Sequence, residues 1–111
     1  MIVNHVMSTD LGSGIFQDLM DYSKKFAPSD VEVITSNKPE KGCDVYHYHR
    51  PQLERELEEN SIVTVHHDLN DNDKWHLYTN FEEQYRQAKK IICLNNSQVD
   101  YLSKHGIDNT I

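Results

Sequence analysis

The chain reads as a Rossmann-like α/β domain, three layers α/β/α around a mostly parallel sheet of order 2-1-3-4-5. Three observations predict this. Short β-branched runs alternate with helix-like stretches, the pattern that builds βαβ units. One of those runs, Ser61-Ile62-Val63-Thr64-Val65, has the short apolar character of a strand buried on both faces of a parallel sheet. Right-handed crossovers, with the third strand returning beside the first, then give the strand order.

Ile2 to Met7 reads as the first strand, followed by a loop from Ser8 to Gly14 that contains Gly12-Ser13-Gly14. Ile15 to Phe26 reads as a helix with Ser13 as its N-cap. Ile15, Leu19 and Phe26 form one stripe of it and Phe16 and Met20 lie beside them, the spacing of a core-facing helix. Val31 to Thr35 alternates and ends in a polar turn, so it reads as the second strand. A polar loop from Ser36 to Gly42 leads into a third strand, Cys43 to Tyr48, which runs into His49. Pro51 suits a first helical position, and Leu53 and Leu57 give a short helix one apolar face.

The fourth strand runs from Ser61 into His66-His67-Asp68, and an Asn-Asp-rich loop from Leu69 to Lys74 follows it. Thr79-Asn80-Phe81-Glu82 has the capping-box pattern and opens a helix to about Ala88. Lys90 to Leu94 is the fifth strand. Ser97-Gln98-Val99-Asp100 is a second capping box, whose helix ends at Lys104 and His105 before Gly106. Ile107 to Ile111 reads as the start of a sixth strand.

At 111 residues the chain has room for one small domain. A mean hydropathy of −0.73 places a compact core under a heavily charged skin. Eighteen acidic and eleven basic residues give a net charge of −7, without a dominating Lys/Arg cluster. Phosphate-backbone affinity needs such a cluster, so nucleic acid is not expected as a partner and membrane contact is not indicated. Cys43 and Cys93 form no CxxC pair. They read as reduced, buried thiols, and a cytoplasmic location is expected. The first seven residues lack the form of a signal peptide, and no apolar run approaches membrane-spanning length.

In the 2-1-3-4-5 order three strand ends converge. They carry Gly12-Ser13-Gly14, His47-Tyr48-His49 and His66-His67-Asp68. Ligands of open α/β sheets bind outside such carboxyl ends. The Gly-Ser-Gly loop before a helix suits an anion, and suits an ordinary strand-to-helix turn equally well. His66 and His67 project to opposite sides if the strand continues, so only one faces a cleft. A neutral imidazole there can accept a proton or bond a sugar hydroxyl, and Asp68 can orient it or cap a turn. His47 and His49 share a face, a geometry open to metal chelation and also to ordinary polar strand ends; no metal ligand is assigned. Trp75, His76 and Tyr78 read as a hydrophobic anchor for the next helix. Neither cysteine has an identifiable activating neighbour.

Asp44-Val45-Tyr46-His47-Tyr48-His49, Ile62-Val63-Thr64-Val65-His66-His67-Asp68, and Ile91-Ile92-Cys93-Leu94-Asn95 with Leu102 and Gly106-Ile107 together resemble the amino-terminal half of a GT-B fold glycosyltransferase of the retaining, nucleotide-sugar-dependent group. The resemblance covers nearly the whole chain and rests on the order and spacing of its motifs. It implies the acceptor-side domain of a two-domain enzyme, with a sugar-containing acceptor as partner. It implies no cofactor in this domain, the nucleotide-sugar donor being held by a carboxyl-terminal domain with paired glutamates. It also implies that Gly12 to Gly14 approach donor phosphate or acceptor, and that the histidine of the His-Asp element touches the transferred sugar.

On that resemblance His67 and His66 are the catalytic candidates, and Gly12, Ser13, Gly14, His47, His49 and Asp68 the substrate-binding ones. Two departures from the group stand out: a short region between the second and third strands, and the absent second domain. The chain is therefore expected to be an excised domain, inactive alone. The alternatives are a small metal-dependent hydrolase using His47, His49, His66, His67 and Asp68, and a non-catalytic flavodoxin-like binding module. A phospho-receiver would need an acidic residue at the end of the third strand, where this chain has histidines.

Overall fold

The computed structural model describes residues 1–7, 14–51, 54–66, 68–70 and 77–111, without the side chains of residues 14–16. Five strands form one sheet: β1 (Ile2–Val6), β2 (Glu32–Ser36), β3 (Val45–Tyr48), β4 (Ser61–Thr64) and β5 (Lys90–Ile92). Every pairing is parallel and the order is β2-β1-β3-β4-β5. This is the Rossmann-like arrangement that the alternation of elements predicts. Thr110 bridges Ile91 in parallel, and the Ile111 N–H donates to the Ile91 carbonyl at 2.8 Å, so the last residues run beside β5.

Strand parity divides the side chains between two faces. On one face Val6, Tyr46, Tyr48, Val63, Val65 and Ile91 form the main core with Phe81, Tyr85, Leu102 and Ile107. That core holds the helices α2 (Glu82–Gln87) and α3 (Asn96–Lys104). Right-handed crossovers from β1 leftward to β2, and from β3 rightward, place α1 (Gly14–Lys25) on the opposite face.

Several elements depart from the sequence expectation, each for a local reason. Of the described side chains of α1 only Met20 is buried. Leu19 and Phe26, expected to face the core, are 38% and 70% exposed. Phe26 instead stacks on Tyr22 at 6.1 Å along the outside. No helix forms over residues 54–60: the Leu57 N–H donates to Gln87 Oε1 and the Glu58 N–H to Tyr48 Oη, which takes them out of a helical ladder. Leu53 lies outside the described residues.

Thr79 does not cap α2. A 3₁₀ turn, Tyr78–Asn80, comes first, and α2 starts behind Phe81 without a side-chain cap. The α3 box sits two residues earlier than expected. Asn95 Oδ1 accepts the Gln98 N–H at 2.9 Å, while Gln98 Oε1 accepts the Leu94 N–H at 2.7 Å. Asn95 wins over Ser97 because its extended backbone leaves the strand in the geometry an N-cap needs. At the other end Gly106 takes φ +77° and stops α3 as expected. Cys43 and Cys93 are free thiols, but half-buried rather than buried. Among the described residues no helix is long and apolar enough to cross a membrane.

Candidate functional site

The parallel register brings four histidines to one face of the sheet. His5 of β1 lies opposite His47 of β3, and His47 lies opposite Ile62 of β4. Two residues on from His47 is His49; two on from Ile62 is Thr64, and then His66, so all share that face. The rings form a compact layer. Centroids are 4.8 Å apart for His5 and His47, 4.4 Å for His47 and His49, and 5.2 Å for His49 and His66.

The ring nitrogens are organised as a chain. His5 Nδ1 and His49 Nε2 share a hydrogen bond at 2.9 Å, and His49 Nδ1 and His66 Nε2 another at 2.9 Å. His47 Nε2 meets the Thr64 hydroxyl at 2.6 Å. The chain runs from buried His5 to exposed His66, which opens onto the carboxyl end of the sheet. Burial favours the neutral form of all four imidazoles. It lowers the pKa of His5 and His66, takes His47 to about 3 and His49 to about 2, and the mutual repulsion of the rings adds to the last two shifts. Neutral rings are the form that accepts protons and binds metals.

Beside His66 an open cleft of about 410 Å³ lies over the carboxyl ends of β4 and β5. Its polar lining is His66, Asp68, Asn70, Asn95, Ser97 and Gln98, with Leu69 and Leu94 as its apolar part. Asp68 Oδ1 accepts the Asn70 N–H at 2.9 Å, so the carboxylate caps a turn and also borders the cleft.

The expected site residues divide in three ways. His47, His49 and His66 come together in the ring layer, and Asp68 joins His66 at the cleft. Gly14 begins α1. Gly12, Ser13 and His67 lie outside the described residues, as do Trp75 and His76. Tyr78 is buried and packs on Tyr85, Tyr101 and His105, the anchoring role expected of it. Sequence reasoning missed His5, Asn70, Asn95, Ser97 and Gln98. His5 sits in mid-strand with no motif around it, and its signal is positional: adjacent first and third strands align it with His47. Comparison of the chain with protein-family models, with curated proteins and with solved structures finds no match.

Proposed function

We propose that the chain is the acceptor-side domain of a retaining, nucleotide-sugar-dependent glycosyltransferase, which binds a sugar-bearing acceptor at the carboxyl ends of β4 and β5. The observation that carries this reading is the cleft beside His66. Its volume lies in the range of small-molecule sites. Its polar lining has two carboxamides of asparagine, a carboxylate, a hydroxyl and an imidazole, around the Gln98 carboxamide that is already bonded to the Leu94 N–H and the Val65 carbonyl. These groups both donate to and accept from hydroxyls, the chemistry of carbohydrate recognition. His66 at the rim, its pKa lowered by burial, suits a hydrogen bond to a sugar hydroxyl. The parallel sheet agrees with the fold of such domains but does not by itself argue for sugar transfer.

The test is an amide chemical-shift titration of this chain with a panel of neutral oligosaccharides and glycolipid headgroups. Saturable shifts confined to residues 66–70 and 94–98, lost in Asp68→Asn or Asn95→Ala, are expected. A cleft that answers to none of the sugars at millimolar concentration would overturn the reading.

A further inference from the structure

We propose that His5, His47 and His49 form a binding site for a zinc-type divalent transition cation, with Thr64 and His66 as the hydrogen-bond partners that orient two of the ligands. One ligand nitrogen from each of the three histidines falls within 4.8 Å of the others. At a Zn–N distance of about 2.05 Å, tetrahedral ligand nitrogens stand about 3.3 Å apart. The His5–His49 pair, at 2.9 Å, needs to open by a few tenths of an ångström. The widest pair needs to close by about 1.5 Å, which is within the reach of small χ rotations.

The far sides of the rings supply a second and independent observation. Metal-bound histidines donate their other N–H to an acceptor, which fixes tautomer and ring orientation. With the metal on His49 Nε2, the Nδ1–H donates to His66 Nε2 at 2.9 Å. With the metal on His47 Nδ1, the Nε2–H donates to Thr64 Oγ1 at 2.6 Å. His5 contributes Nδ1, the nitrogen that already faces His49. His5 and His49 thus turn one nitrogen toward each other, and His49 and His47 each have an acceptor on the other nitrogen.

Ligand chemistry selects the cation class. Three imidazoles without a carboxylate suit zinc and its neighbours in the first transition row, and suit calcium or magnesium poorly. Three protein ligands leave one tetrahedral position for water, the pattern of reactive rather than purely structural zinc. The scaffold is rigid, because the ligands sit on adjacent central strands or directly follow one. This inference does not depend on the sugar-transfer reading, and its test involves no sugar.

The experiment uses the full chain without a polyhistidine tag, stripped with a chelator and titrated with Zn²⁺ by calorimetry. Imidazole ¹⁵N shifts are followed in parallel. One equivalent is expected to bind, moving Nδ1 of His5, Nδ1 of His47 and Nε2 of His49 toward metal-bound values. Thr64→Val, which keeps shape and removes only the hydroxyl, should weaken affinity about 10- to 100-fold at unchanged stoichiometry. His5→Ala should abolish stoichiometric binding, and His105→Ala should leave it intact. Should the alanine variants unfold, the ¹⁵N assignment on the wild-type chain and the Thr64→Val comparison still decide. Lack of stoichiometric binding, or binding that moves only His67, His76 or His105, would overturn the proposal.

Discussion

Asn95 connects the fold to the cleft through a single side chain. Its Oδ1 caps α3 through the Gln98 N–H at 2.9 Å, while its outer surface lines the cleft next to His66. Removing such a cap costs about 1 kcal/mol. Asn95→Ala should therefore lower the unfolding free energy from urea melts by that amount, whereas Ser97→Ala, outside the cap, should change it by less than about half as much. A larger loss in Ser97→Ala than in Asn95→Ala would place the cap at Ser97. Tyr48 gives a second handle at this scale. Its ring is fully buried, and burial, opposed by the Glu58 N–H on Oη and reinforced by the Glu58 and Glu54 carboxylates, pushes its pKa up to about 12. The folded state keeps the proton that the unfolded chain loses near about pH 10. Tyr48's contribution to stability is therefore complete below about pH 10 and is lost as pH rises toward about 12. Tyr48→Phe should show a shallower loss of stability across that window in urea melts, and parallel curves for the two proteins would contradict the assignment.

The elements differ in how firmly they are held, and the two faces of the sheet show why. β3, β4 and the residue after β4 put Tyr48, Val63 and Val65 into a core shared with Tyr85 and Leu102, all fully or almost fully buried. α1 offers only Met20 to the interior among its described side chains, and leaves Leu19, Tyr22 and Phe26 outside. Local stability follows buried apolar contact, so helix and sheet should open separately. Native-state hydrogen exchange should find α1 amides at least about tenfold faster than those of β3 and β4; matching protection would mean one cooperative unit. The same asymmetry explains what was legible in the sequence. Strand order follows from element alternation and handedness, which are properties of the backbone. The exposure of Leu19 and Phe26 is not legible, because periodicity shows that a helix has an apolar stripe and not whether anything covers it. No helix forms over residues 54–60 for a comparable reason, since the side chains of Gln87 and Tyr48 take the N–H groups of Leu57 and Glu58.

At the scale of the whole molecule, the ring layer joins segments far apart along the chain. His47 and His49 are visible as an alternating pair, and His66 as a strand end. His5 enters only once β1 and β3 are in register, because contact across strands is not written in any local pattern. A cation held by His5, His47 and His49 would tie β1 to β3 across the centre of the sheet, where the strand order turns. Because the unfolded chain scatters these ligands, the cation binds the folded state preferentially, and binding free energy becomes folding free energy. At a free concentration 100 times Kd the gain is about 2.7 kcal/mol. For a domain near 100 residues each kcal/mol moves the midpoint by about 4 °C or more. Zn²⁺ should then raise the thermal midpoint of the chelator-stripped chain by about 10 °C, less whatever the seven histidines of the unfolded chain retain. The shift should grow with the logarithm of free Zn²⁺, return to zero with added chelator, and be absent for Mg²⁺, which disfavours an all-imidazole shell. His5→Ala should melt at the same temperature with and without Zn²⁺. A midpoint that Zn²⁺ leaves unmoved in the wild-type chain would show that the three rings are a neutral, hydrogen-bonded layer and nothing more.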